Sequence, residues 1–169
     1  TRQLVALVRD NKREQSQHAR VAAELIRQYN NAYVGWERSQ EADFASVMEA
    51  EGITRIYMHA EEQTLAQKVN GTDPTQRRGY PARAKERQKL VARVANYIVN
   101  QEGIIPSEVL LTELRGFVKT TKQPDGEAGS GGHDDTVFGF GGALLMCDLP
   151  AAQVLTGTTG ISIRSMVTR

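Results

Sequence analysis

A chain of 169 residues, 40% of them hydrophobic, is long enough to fold as one domain around a sizeable core. A formal net charge of +1 leaves the choice of partner to local clustering of charge rather than to the field of the whole molecule. The single cysteine, Cys147, excludes a disulfide framework or a cysteine metal site within the chain and suits a reducing compartment; no apolar run approaches the roughly 20 residues that span a membrane.

Gln3 to Arg9 reads as a short buried strand. Gln15 to Gln28 reads as an amphipathic helix with Ala19, Ala22, Leu25, Ile26 and Tyr29 on one side. Asn30-Asn31 supplies turn chemistry, and Ala32 to Trp36 is a second strand that reaches Glu37. Glu41 to Glu51 is a helix through Phe44, Val47 and Met48, with Gly52 where a C-cap belongs. Ile53 to Met58 is a third strand. Alternating strands and helices predict parallel pairing and an α/β sheet.

His59 to Gly79 is polar and reads as a surface excursion, with a turn at Gly71-Thr72-Asp73-Pro74. Pro81 suits the first turn of a long helix to about Asn100, buried through Ala84, Val91, Val94, Ala95 and Ile98. Pro106 and Ser107 start another helix through Val109, Leu110, Leu111, Leu114 and Phe117. Val118 to Lys122 is an expected edge strand, and Gln123 to Gly132 a loop of Gly, Asp and Ser. Asp134 to Cys147 is apolar nearly all round, which marks a buried helix. Its Gly139, Gly141 and Gly142 require something packed very close. The domain is expected over residues 1–148, with 149–169 as a tail. The opening Thr1-Arg2-Gln3-Leu4 has no signal-peptide pattern and no Met. It suggests a fragment that starts inside its fold.

The chemistry concentrates in Gly131-Gly132-His133-Asp134-Asp135-Thr136-Val137. A glycine-rich loop delivers two carboxylates to a helix start, where N–H groups and the helix dipole keep them ionised. Glu37 ends an apolar strand, the place where ligands gather in α/β sheets. Glu37, Asp134 and Asp135 can converge as oxygen ligands of two Mg²⁺ or Mn²⁺ ions about 4 Å apart. Asp134 is equally an ordinary N-cap, and Glu37 an ordinary strand end. His133 positions a phosphate, orients a carboxylate, or is a plain loop residue. His18 and His59 lack a second His at zinc-ligand spacing. Cys147 has no nucleophile partner pattern and belongs to the core.

A second signal is basic. Arg77, Arg78, Arg83, Lys85, Arg87, Lys89 and Arg93 fall in one window opposed there only by Glu86. Lys85, Lys89 and Arg93 recur every fourth residue and form one helical stripe. A stripe of one sign in a neutral chain favours phosphate binding without base readout.

In this order, these residues resemble the C-terminal nuclease domain of the large terminase subunit of tailed phages. The resemblance runs through Tyr29-Asn30-Asn31-Ala32-Tyr33-Val34-Gly35-Trp36-Glu37-Arg38, then Ile104-Ile105-Pro106-Ser107 to Glu113-Leu114, then Leu114-Arg115-Gly116-Phe117-Val118, and ends in Gly132-His133-Asp134-Asp135-Thr136-Val137. It covers most of Arg2 to Met146. The His-Asp-Asp motif is weak alone; the ordered set is more specific. The resemblance implies a ribonuclease H-like mixed sheet flanked by helices and a metal-dependent endonuclease that cuts concatemeric viral double-stranded DNA in the host cytoplasm. It implies two Mg²⁺ or Mn²⁺ ions, and as partners an ATPase domain of the same polypeptide, the small terminase subunit and the portal. It places the family's second acid on Glu37 and its third on Asp134/Asp135, with Asp135 favoured as the direct ligand. Lys85 takes a position often basic in the family. The first acid would lie on a strand before Gln3–Arg9, so a chain without that strand is implied; Asp10 is a poor substitute. Another ribonuclease H-like recombinase or resolvase would use the same metals, with preference for branched DNA. A non-catalytic DNA-binding or assembly module would use the basic helix alone.

Overall fold

The computed structural model describes residues 4–9, 12–38, 41–118, 127–129 and 132–149. Among them it is a mixed α/β structure with six helices and short antiparallel strand pairs. Residues 150–169 of the expected tail, Asp10, residues 119–122 of the expected edge strand and most of the 123–132 loop lie outside these residues.

Helix α1 (Gln15–Gln28) has the expected bounds and buries Ala19, Ala23 and Ile26. Its apolar stripe therefore turns slightly away from the expected Ala22 and Leu25, and Tyr29, past the helix end, is exposed. Asn30 and Asn31 follow with φ of 57° and 54°. Asn tolerates this left-handed region better than most residues, and the pair reverses the chain. Helix α2 (Glu41–Ala50) packs back on α1. Trp36, Met48, Ile53 and Ile56 complete a core cluster with the buried face of α1, and Phe44 packs beside Trp36 at 5.4 Å between ring centroids.

Apart from Met58, which opens an antiparallel strand, the expected second and third strands are reduced to isolated parallel bridges. Val34 bridges Ile56 and Glu37 bridges Tyr80. Tyr57 N–H donates to the Val34 carbonyl at 2.7 Å, and Tyr80 N–H to the Trp36 carbonyl at 2.9 Å. The named strands are antiparallel instead: β1 (Met58–Ala60) with β2 (Gln76–Arg78). The polar excursion between them holds helix α3 (Leu65–Val69), started by a Thr64–Gln67 capping box. Gly79 sits at φ +69°, and a Cβ there would lie 2.5 Å from the Trp36 carbonyl oxygen. Glycine is needed to bring Tyr80 alongside Glu37.

Helix α4 (Ala84–Val99) begins later than expected, with Arg83 at the N-cap and Pro81 buried ahead of it. It buries Leu90, Val91, Val94 and Tyr97; Ala84, Ala95 and Ile98 are exposed. The stripe is rotated because α6 packs on this face. Helix α5 (Glu108–Gly116) starts where Ser107 caps the Leu110 amide. Two-residue strands β3 (Phe117–Val118) and β4 (Glu127–Ala128) pair antiparallel.

Helix α6 (Asp135–Asp148) is the expected buried helix. Val137, Phe140 and Leu144 join Val94, Tyr97 and Leu110 in a second cluster, with Tyr97 and Phe140 edge to face at 5.2 Å. Leu4 and Leu7 pack against that cluster, while Val5 and Val8 stay 64% and 40% exposed. Residues 4–9 therefore lie on the core without forming the expected strand. No helix among the described residues is long and apolar enough to cross a membrane.

Candidate functional site

Asp134 occupies the N-cap position of α6, yet its side chain makes no capping hydrogen bond. Its carbonyl takes the Val137 and Phe138 amides, and its carboxylate lies 3.8 Å from the Arg87 guanidinium on α4. Arg87 also stacks over the Phe138 ring, 3.8 Å from its centroid. An ordinary side-chain N-cap is thus not what Asp134 provides.

Asp135, the next residue, lines a cavity of about 650 Å³. Arg9, Arg13, His18 and His133 share its wall, with Leu4, Leu7 and Phe140 as apolar neighbours. Adjacent carboxylates therefore have different surroundings: one beside an arginine of α4, one on a cavity with two arginines and two histidines. A second cavity of similar size, about 650 Å³, adjoins it farther along α6, sharing Leu4, Gly139 and Phe140, and is mostly apolar, with Val5, Tyr33 and Met146 on its wall.

The buried cap of α6 comes from another element. Glu113, only 7% exposed, reaches from α5 and accepts from the Thr136 amide at 2.9 Å and the Thr136 hydroxyl at 2.5 Å. Its other oxygen lies 3.5 Å from Arg9. Sequence reasoning missed this residue, although a signal existed. Glu113 stands three residues after Leu110, on the apolar face of its helix, where an unpaired acid is costly.

Glu37 is half-buried at the bridge to Tyr80. Burial, and then the nearby Glu37 carboxylate, push the Tyr80 phenol up to about 12, with Arg87 opposing. Glu37, Tyr80, Arg87 and Asp134 thus form a chain of electrostatic neighbours. No group of three or more His, Cys, Asp or Glu side chains able to hold a metal forms among the described residues. The donors are hard oxygens suited to Mg²⁺ or Mn²⁺, but the described residues do not assemble the expected Glu37, Asp134 and Asp135 ligand set.

The basic stripe changes character in three dimensions. Arg78 pairs with Glu49, Lys85 with Glu62 at 2.5 Å, and Lys89 with Glu86 at 2.8 Å. Arg83 lies 3.7 Å from Glu61, which also pairs with the half-buried Arg38. Arg93 holds Glu102 at 2.6 Å and Asp148 at 2.5 Å. Arg77 stands exposed on β2 opposite His59. The face mixes signs once neighbouring elements are counted. Exposed pairs of this kind are weak and exchange readily for phosphate, whereas Arg93 is only 14% exposed and ties α4 to the end of α6. Burial lowers the His59 imidazole below its ordinary value. Cys147, expected in the core, is exposed.

No known family profile, curated protein or solved structure matches this chain.

Proposed function

We propose that the chain is the nuclease domain of a phage large terminase subunit, a ribonuclease H-like endonuclease that cuts concatemeric viral double-stranded DNA during genome packaging. The observation that supports it best is the placement of Asp135. The motif predicted to carry the chemistry sits at the start of a buried helix and opens on a cavity with Arg9, Arg13, His18 and His133 on its wall. A carboxylate beside cationic groups suits a site that must take both a divalent cation and a phosphodiester.

In this proposal Asp135 is the residue that would take Mg²⁺ or Mn²⁺, while Glu37, at the Tyr80 bridge, does not line its cavity. Bound metal would stabilise charge on the phosphate and activate water. Arg9 and Arg13 hold the phosphate at the cavity, and His133 orients it. Arg77, Arg78, Arg83, Lys85, Arg87 and Lys89 track the flanking backbone by exchanging carboxylate partners for phosphates, with little sequence preference. An ATPase domain, the small terminase subunit and the portal are the proposed partners, in the cytoplasm of an infected host.

A second reading is a non-catalytic DNA-binding or assembly module. It is favoured by one observation: the described residues gather no three metal-ligating side chains.

Nicking of supercoiled plasmid in Mn²⁺, with Asp135→Ala as control, separates the two. The nuclease reading expects nicking that the variant loses while staying folded. Absence of nicking, with DNA binding that is salt-sensitive and indifferent to metal, overturns it in favour of the module. Preference for branched over linear DNA would move the assignment to a resolvase.

A further inference from the structure

One carboxylate of the excursion is crowded by arginines. His59 stands directly opposite Arg77 across β1 and β2, and Glu61 lies two residues further on the same face, with its amide donating to the Thr75 carbonyl at 2.9 Å. That face meets Arg38 and the start of α4. Arg38 is set there by its backbone, whose amide donates to the Tyr80 carbonyl at 3.0 Å. Its Nη1 donates to Glu61 Oε1, and the Arg83 guanidinium approaches Glu61 Oε2 at 3.7 Å. The hydrogen bond from Arg38, and beyond it the charges of Arg38, Arg83 and Arg77, hold the Glu61 carboxyl below its ordinary value against desolvation. One carboxylate thus serves three guanidiniums. The Arg38 side chain is only 12% exposed, and its Nε and Nη2 are buried with no hydrogen-bond acceptor among the described residues. Leaving charged donors in that condition costs free energy. A phosphate offers more oxygens to such a fork than one carboxylate does.

We propose that Arg38 and Arg83 form a seat for a phosphate of the DNA backbone, and that Glu61 is the stand-in which the phosphate displaces. The inference rests on the reading that the chain binds DNA, which the nuclease and the non-catalytic module share. Arg38 lies outside the basic window of the sequence, and its contact with Glu61 spans 23 residues. The neighbouring Glu62 gives the contrast. It pairs with Lys85 where both side chains are well exposed, 65% and 67%, so losing its charge changes the local field equally but opens no seat between two arginines.

The test measures binding of a short DNA duplex, and separately of inorganic phosphate, to the parent chain and to Glu61→Gln, Glu62→Gln, Arg38→Lys and Arg38→Met, with thermal stability as the check on folding. Glu61→Gln is expected to tighten duplex binding by about 10-fold, and Glu62→Gln by no more than about 3-fold. Arg38→Lys keeps the charge but loses the planar fork, and should weaken binding by about 10-fold. Arg38→Met should weaken it further and lower the slope of log affinity against log salt by about one. If Arg38→Met does not fold, Arg38→Lys and Glu61→Gln decide the matter. Equal gains from Glu61→Gln and Glu62→Gln, or parental affinity in Arg38→Lys, overturn the seat and leave DNA binding intact. A parent chain that binds no duplex overturns both the seat and the DNA-binding reading. Inorganic phosphate bound through Arg38 without duplex binding overturns DNA as the source of the phosphate.

Discussion

Gly141 passes so close to Leu90 that a Cβ on it would lie 3.0 Å from both the Leu90 Cβ and the Leu90 carbonyl oxygen. That near-contact lets α4 and α6 approach. The carbonyl belongs to a helix backbone and cannot yield. Gly141→Ala should therefore destabilise the fold by about 1–3 kcal/mol. Gly139 is the contrasting case, because a Cβ there meets nothing within 4 Å. Gly139→Ala should stabilise by about 0.5–1 kcal/mol through helix propensity alone. Chemical denaturation of both variants checks the pair; equal effects would refute the packing account.

Tyr80 reports on Glu37. Its phenol is held neutral up to about 12 by burial and by the Glu37 charge. Burial also raises Tyr33, Tyr57 and Tyr97, so tyrosine-resolved NMR titration should find Tyr80 well above the ordinary 10, and Glu37→Gln should lower its midpoint without returning it to 10. The sign for stability follows. An unfolded chain releases this proton near pH 10 and the folded chain near 12, so the contribution is complete below 10 and disappears as pH rises through 12. A Tyr80 midpoint unmoved by Glu37→Gln would mean that the two groups are not neighbours.

Acid should loosen the excursion between β1 and β2. The Arg38 guanidinium holds the Glu61 carboxyl below the ordinary glutamate value, and Lys85 does the same for Glu62. Depressed carboxylates contribute stability above the unfolded value of about 4.5 and lose it as pH falls through their folded values. Amide exchange over residues 61–75 should rise in that range. Lys85→Met should raise the Glu62 midpoint and leave that of Glu61 near its original position, measurable by carboxyl NMR. Both pairs should weaken with added salt.

Arg93 should act on stability before it acts on DNA. It holds Glu102 and Asp148 together from a nearly buried position. Arg93→Met is expected to cost about 1–2 kcal/mol. DNA affinity of the folded variant should change less than with Lys85→Met. A larger loss of DNA binding than of stability would return Arg93 to the nucleic-acid face.

Local signals were readable in the amino-acid order. The apolar spacing of α1, the Ser107 cap of α5 and the unbroken apolar run of α6 each lie within about one helix of sequence, and all three helices form where expected. Pairing was not readable. Leu4 to Val8 and Ala32 to Trp36 have strand-like composition, but a ladder needs a partner whose register no local pattern specifies. The same holds for charge. Arg78 meets Glu49 and Arg93 meets Asp148 across 29 and 55 residues, so a window count of the basic helix could not see its acids. At the site, the Asp pair at the start of α6 was legible from its glycine-rich approach, whereas Glu113 acts through a fold contact 23 residues away.

The two principal core clusters divide the chain by position. The first draws all its members from residues 19–56, while the second is built mainly from residues 94–144. Contacts inside the first close short loops, which form quickly. During synthesis this half can bury its Trp36 core before α6 has left the ribosome. The Asp135 cavity needs Arg9 and His18 from the early half and α6 from the late one. It is therefore among the last features of the molecule to exist, and a partly made chain carries a core but no acidic site.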